Sequence, residues 1–491
     1  MKYKKIFNNI YNEEQEFKNL LNRAWVNSNS KTTITIKSPI DDRVLGKVQS
    51  LTQTEVDRAI NAASESQKAW SDMPVNERAE ILYKSANLII EHKKALAEFL
   101  MYEIAKDKKS ALSEIVRTAD FIRFTADASK QIHGEAIPGD SFPGAKKDKI
   151  SFVTRVPLGV VLAISPFNYP INLAASKVAP ALVAGNSVVF KPATQGSISG
   201  LFLAELFNRA GLPKGVLNTV TGRGRVIGDY TVTHPKIDFI NFTGSTEVGQ
   251  HISKIVGMKP VLLELGGKDA AIVLEDADLD LTADNIISGG YSYSGQRCTA
   301  VKRILVMDSI ADKLKEKVLE RIHNLKTGDP RDSETSIGPL INDKACDFVM
   351  SLIDNAKEKG AELIIGGTRN GRIIEPTLFD KVPLDSRLAW EEPFGPVLPM
   401  IRVKSVEEAI EIANKSDYGL QGSVFTKDID KAFYVAQKLE VGTVQINNKP
   451  QRGPDHFPFL GVKSSGMGTQ GIRYSIEAMT RVKVTVINLH N

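Results

Sequence analysis

The chain has 491 residues, 42% hydrophobic and 25% charged, the make-up of a soluble globular protein too long for one ordinary core, so that about three domains are expected. Its 63 lysines and arginines against 58 aspartates and glutamates leave a net charge of +5, and without a basic tract or aromatic-basic interleaving no nucleic-acid partner is expected. No apolar run is long enough to span a bilayer, MKYKKIFNNIYNEEQEF lacks the apolar centre of a signal peptide, and two cysteines make no disulfide framework, so the expected setting is a reducing cytoplasm away from membranes.

In chain order, residues 53–135 read as a run of amphipathic helices, with TEVDRAINAASESQKAW and ERAEILYKSANLIIEHKKALAEFL among them. HGEAIPGDSFPGAKKDK, rich in Gly, Pro and Lys, reads as a loop or an extended excursion from the body. From residue 150 onward short β-branched runs alternate with helices. GVVLAIS leads into the helix PINLAASKVAPALVAG, with Pro170 in its first turn and Gly185 past its end. NSVVFKP, GVLNTV, IDFINFT and PVLLEL supply further strands, with helical segments such as GLFLAELFNRAG between them. A second alternating series runs from VKRILVMD to VGTVQINN, and in its helix SVEEAIEIA Ser405 and Glu408 stand at capping-box spacing. The alternation predicts two α/β units with parallel sheets, and an extra arm made from the excursion and the C-terminal strand RVKVTVIN.

Candidate functional residues cluster at the ends of predicted strands, where open α/β sheets place their ligands. In SPFNYP the Asn168 amide can donate to a developing oxyanion, or simply form a turn. In VVFKPAT, Lys191 ends a strand and Thr194 follows; the lysine is either a solvated charge or an anchor for a cofactor's ribose or phosphate, and Thr194 brings no negative charge to repel a 2′-phosphate. FTGSTEVG, with Gly244, Ser245 and Gly249, is a strand-to-helix turn suited to a pyrophosphate, and equally a plain tight turn. Glu264 in LLELGGKDA is an isolated carboxylate after apolar residues, either a general base or a salt-bridged strand end; apolar surroundings would favour its protonated form. EEPFGP sets Glu392 and Phe394 beside a Gly-Pro turn.

Of the two cysteines, Cys346 in NDKACDFVM sits on an ordinary amphipathic helix, whereas Cys298 follows Arg297 in the small-residue turn of GGYSYSGQRCTAVKRILV. A reactive thiol wants cationic, partly exposed surroundings, so Cys298 is the candidate nucleophile. A cysteine hydrolase would need a histidine base, and none of the seven histidines has a motif-like setting; none is spaced for a metal site either.

Taken in order, SPFNYP, FKPA, FTGSTEVG, ELGGKDA, GQRC, EEPFGP and FPFLGVKSSG resemble the aldehyde dehydrogenase superfamily over residues from about 150 to the C-terminus. Tyr169 after Asn168, Arg297 before Cys298 and INNKPQRGPDHFPF narrow the resemblance to its non-phosphorylating, NADP-dependent glyceraldehyde-3-phosphate dehydrogenases. That resemblance implies a Rossmann-like cofactor domain (1–133 and 153–262), a second α/β catalytic domain (263–447) and a small β oligomerisation arm (134–152 and 475–491), assembled as a homotetramer. It also implies Cys298 as nucleophile, Asn168 with the Cys298 amide as oxyanion hole, and Glu264 as the base for the hydrolytic water. Lys191 and Thr194 would face the adenosine ribose and 2′-phosphate of NADP, with NAD a weaker substitute. Gly244, Ser245 and Gly249 would lie by the pyrophosphate, and Glu392 and Phe394 by the nicotinamide riboside. The substrate's phosphate suits arginines, and the candidates by similarity are Arg117 (with Arg123 as its rival), Arg297 and Arg452, together with Tyr169. Another anionic aldehyde, such as succinate semialdehyde, is the alternative substrate.

Overall fold

The computed structural model describes residues 3–489; residues 1–2 and 490–491, at the outer ends of the expected cofactor domain and arm, lie outside the described residues. The helical run over 53–135 consists of Gln53–Asp72, Val75–Glu91, Lys93–Ile104 and Lys108–Ser129. Thr52 starts the first with a reciprocal cap, its hydroxyl accepting from the Glu55 amide while the Glu55 carboxylate accepts from the Thr52 amide at 2.8 Å. The buried faces of these helices bring Trp70, Leu82, Ile115 and Ile122 into one core with Val161, Val188 and Phe190 of the neighbouring sheet.

That sheet has six strands. Leu217–Thr219, Ser187–Lys191, Val160–Ile164, Phe239–Thr243 and Val261–Glu264 run parallel, and the short Gly466–Met467 closes the edge antiparallel. Its β-branched runs are covered on both faces, as a parallel sheet between helices requires. Chain order reverses between Val160–Ile164 and Phe239–Thr243, so the loops leaving these two strands part and open a crevice at their carboxyl ends.

A second sheet of seven strands runs in the order Glu362–Ile365, Thr377–Asp380, Val397–Val403, Arg303–Met307, Ala270–Val273, Gln421–Phe425 and Thr443–Ile446. Only its first pair is antiparallel. The Gly/Pro/Lys-rich excursion and the C-terminal strand meet in a separate three-stranded antiparallel sheet, Thr480–Asn488 against Lys149–Pro157 against Glu135–Pro138.

Some local details differ from the sequence expectation. The helix after Val160–Ile164 spans Asn172–Val183, so Pro170 precedes it rather than sitting in its first turn. Its first amides are instead held by a carboxylate from another helix: Glu114 Oε1 accepts from Ile171 N and Asn172 N, both at 3.1 Å. Ser405 caps Val406–Asn414 through the Glu408 amide at 3.1 Å, but the Glu408 carboxylate turns to the Lys404 amide, so only half of the box forms. A three-stranded sheet of Glu16–Phe17, Val44–Gln49 and Thr33–Lys37 was not legible, because its short strands are placed by distant partners, as the end of Val44–Gln49 is by the Thr221 hydroxyl, which donates to the Gln49 carbonyl oxygen.

Candidate active site

Cys298 stands on the segment between helix Leu279–Gly290 and strand Arg303–Met307. Just before it Tyr293 (φ 53°) and Ser294 (φ 54°) both take the left-handed backbone conformation, which costs non-glycine residues about 1–3 kcal/mol each. Tertiary bonds hold them there. The Tyr293 hydroxyl donates to Ile104 O at 2.9 Å, and Ser294 Oγ donates to Gly338 O at 2.8 Å and accepts from Gly338 N at 3.0 Å. Gly295 (φ 72°) must be glycine, since a Cβ would come within 2.2 Å of the Gly395 carbonyl oxygen. Cys298 as a whole residue is partly exposed, while its thiol is turned inward. Its surroundings are not the cationic ones expected: burial, then the Glu264 carboxylate, push it up to about 12, against the partial opposing pull of Lys302. Lys302 is almost wholly buried, donates to the Cys298 carbonyl oxygen and pairs with Glu392 at 2.8 Å. Cys346, by contrast, is fully buried on helix Asp343–Glu358.

On one side of Cys298 a largely apolar cleft of about 460 Å³ occupies the crevice at the strand reversal. Asn168, Gly244, Ser245, Glu392 and Phe394 line it. Its walls share Ile164, Phe242 and Val248 with an outer cavity of about 740 Å³ lined by Lys191, Arg225 and Lys254. Lys191 is buried with no charged neighbour to offset desolvation, and its pKa is pulled down to about 8. Ser245 caps helix Thr246–Ile255, whose N-terminus opens on the cleft. Gly266 lies so close to Glu392 that a Cβ would come within 2.2 Å of Oε2, leaving bare backbone at the wall. A buried cation without a partner, a capped helix start and a backbone-lined wall together fit a dinucleotide carrying an extra phosphate. Two of the named residues lie elsewhere. Gly249 packs against Leu265, where a Cβ would come within 2.2 Å of Cδ2, so it serves helix–strand contact. Thr194 is half-buried and outside these linings, its carbonyl accepting from Ser197 Oγ at 2.8 Å.

On the other side of Cys298 lies a smaller pocket of about 130 Å³, lined by Arg117, Tyr169, Glu264, Arg297 and Arg452. Arg123 is not among these, lying instead against Asp120 and Asn87 on the surface. Arg117 is held bidentate by Asp455 at 2.6 and 2.7 Å, and Arg297 donates to the Ser288 and Gly289 carbonyls while its Nε, buried, has no partner. Glu264 does not sit in the apolar surroundings expected. Arg452 Nη1 donates to both of its oxygens at 3.0 and 3.1 Å, and the Thr243 hydroxyl donates to Oε2 at 2.9 Å. Thr243 Oγ1 in turn accepts from Lys177, a buried lysine whose pKa falls to about 7, chiefly through desolvation.

Asn168 is buried, its Nδ2 donating to Gln296 O at 3.0 Å and its Oδ1 without a partner. Lys106 fixes its loop, donating to Asn168 O at 2.7 Å, lying 3.5 Å over the Tyr169 ring and pairing with Glu114 in full burial. Sequence reasoning missed Lys106, Glu114, Lys177, Thr243, Lys302 and Asp455. A signal existed for some: Lys177 is the lone charge in an apolar helix, and Thr243 and Lys302 lie inside motifs already singled out.

This arrangement, a cysteine between a phosphate-fitted apolar cleft and an arginine-lined pocket with a carboxylate, defines an oxidising enzyme of aldehydes, and the chain belongs to the aldehyde dehydrogenase family, whose model matches residues 25–485. It is 58% identical over 475 residues to the NADP-dependent glyceraldehyde-3-phosphate dehydrogenase of Streptococcus equinus, covering 97% of this chain and 99% of that protein. The enzyme of the same name from Pisum sativum is 52% identical over 467 residues, 95% of this chain and 94% of that protein. Among solved structures, the NADP-dependent glyceraldehyde-3-phosphate dehydrogenase of Bacillus halodurans C-125 complexed with NADP superposes with a TM-score of 0.95 at 55% identity, covering 96% of this chain and 99% of that one.

Proposed function

We propose that this protein oxidises glyceraldehyde 3-phosphate irreversibly to 3-phosphoglycerate, with NADP as hydride acceptor and water as acyl acceptor. The observation that carries the reading is that Cys298 stands in the wall common to both cavities, the cofactor-sized cleft and the arginine pocket. A substrate held by its phosphate among Arg117, Arg297, Arg452 and Tyr169 presents its aldehyde carbon at the thiol. The Cys298 sulfur bonds to that carbon as the thiol proton passes to solvent and the C=O π bond breaks, and the oxygen, now anionic, takes hydrogen bonds from the second Asn168 N–H and the Cys298 amide. NADP, held here, would supply the hydride acceptor for the reacting carbon. Lys191 with Arg225 suits the 2′-phosphate, the helix start at Ser245 the pyrophosphate, and Glu392 with Phe394 the nicotinamide riboside. Glu264 takes a proton from the water that attacks the remaining thioester; the C–S bond breaks, and the proton passes from Glu264 to the departing sulfur, which restores the thiol and the carboxylate. Water ends the cycle, so no acyl phosphate forms. The relatives of the same name, at 58% and 52% identity, support this reading. The chain is further expected to work in the cytoplasm and to assemble as a homotetramer through strand Thr480–Asn488.

The test is a panel of glyceraldehyde 3-phosphate, succinate semialdehyde and unphosphorylated glyceraldehyde, each with NADP and NAD, with and without inorganic phosphate. Glyceraldehyde 3-phosphate with NADP should lead, ahead of glyceraldehyde by roughly 2–5 kcal/mol in kcat/KM, with no requirement for phosphate. Cys298→Ala should abolish oxidation while Cys346→Ala stays near wild type. A higher kcat/KM for succinate semialdehyde would transfer the reading to that substrate.

A further inference from the structure

The carboxylate proposed to activate water is engaged by other side chains. Arg452 Nη1 reaches both oxygens of Glu264, and Thr243 occupies Oε2 as well. A carboxylate has about four lone-pair sites, and here three donor contacts already occupy them, which leaves little room for a water to approach and hand over its proton. The other contacts of Arg452 are loose: Nε stands 3.7 Å from Asp455, and the guanidinium lies 5.1 Å above the Phe459 ring. Of the three arginines in the pocket, Arg117 is already neutralised by its bidentate bond to Asp455 and Arg297 is tied to backbone carbonyls. Arg452 is therefore the one whose partner, Glu264, is itself part of the proposed chemistry. A phosphate carrying between one and two charges is a stronger claimant on a guanidinium than a single carboxylate, and it can be held bidentate.

We propose that Arg452 is a substrate-operated latch on Glu264: it holds the carboxylate until the anionic end of the substrate draws the guanidinium away, and only then can Glu264 deprotonate the deacylating water. The inference rests on the proposed role of Glu264 as that base. It moves part of the substrate selection into the second half-reaction. An uncharged aldehyde can still be attacked by Cys298, but its acyl group then waits on a latched base.

The latch can be examined without cofactor or phosphorylated substrate by acylating Cys298 directly with p-nitrophenyl acetate and adding phosphite as a detached anionic end. Wild type should release a burst of about one p-nitrophenolate per active site and then turn over slowly. Millimolar phosphite should raise the slow limb by roughly tenfold or more without changing the burst amplitude. Arg452→Gln should deacylate quickly with no phosphite and ignore its addition, while Glu264→Gln should stay slow in both conditions. A wild-type slow limb indifferent to phosphite overturns the latch even if the Arg452 variant does not fold, as does an Arg452→Gln variant that deacylates no faster than wild type. Wild-type deacylation in Glu264→Gln overturns the base assignment and the latch with it. Because the ester carries no phosphate, these outcomes are separate from the aldehyde panel, whose failure would overturn the substrate reading alone.

Discussion

Lys191, proposed to face the 2′-phosphate of NADP, is a buried lysine. Among the described residues nothing compensates its desolvation, and its pKa falls to about 8. A dianionic phosphate placed beside the ammonium would favour the charged form and raise that pKa. Binding of NADP should then be accompanied by proton uptake above about pH 8, so its affinity should fall as pH rises through that value, by at most about tenfold per pH unit. The dependence should be shallow for NAD, which lacks the 2′-phosphate, and should flatten in Lys191→Met. Equilibrium titrations of both cofactors between neutral and mildly alkaline pH measure this; an NADP affinity that stays level across the range would place 2′-phosphate recognition on Arg225 and Lys254 instead.

Helix Asn172–Val183 and the loop before it are held from outside. Glu114, on helix Lys108–Ser129, caps the helix start, and Lys106 ties the Asn168 carbonyl and stacks on Tyr169, so one fully buried ion pair sets both the proposed oxyanion donor and a proposed substrate contact. Removing one member leaves an uncompensated buried charge and costs about 3–5 kcal/mol, whereas replacing both by apolar residues of similar volume is often close to neutral. Glu114→Ala should therefore lower the guanidinium midpoint strongly, and Lys106→Met/Glu114→Leu should recover much of it. The double variant should still show a lowered kcat, because the Asn168 loop has lost its tether. If kcat is unchanged in a double variant of restored stability, the pair serves folding only.

Across the whole molecule, the three-stranded sheet leaves one long edge open. Among the described residues strand Thr480–Asn488 pairs only with Lys149–Pro157, and Val482, Val484 and Val486 along it are about half exposed. An unpaired, apolar edge of this length is a site for pairing with another chain, in keeping with the proposed assembly of copies. Val484→Lys/Val486→Lys should shift the sedimentation coefficient to a smaller species while leaving the secondary-structure spectrum intact. An unaltered sedimentation profile would remove this strand from the assembly.

The chain by itself determined whatever depends on local periodicity and short motifs. The helical run from Gln53 to Ser129, the strands from Val160 to Glu264 and the turns bearing Asn168, Ser245 and Cys298 were legible because apolar spacing and Gly/Pro placement act over a few residues. Only the tertiary structure decided what those residues meet. Glu264 followed an apolar run and read as isolated, yet an arginine 188 positions away occupies both its oxygens. Gly249 looked like part of a phosphate turn, yet the approach of Leu265 claims it. Lys106 and Glu114 gave no sign of tethering a loop some sixty residues on, since the distances that create such contacts are set by how helices close over a sheet. Partners distant in sequence leave no local pattern, and in this site they decide which charges are free to act.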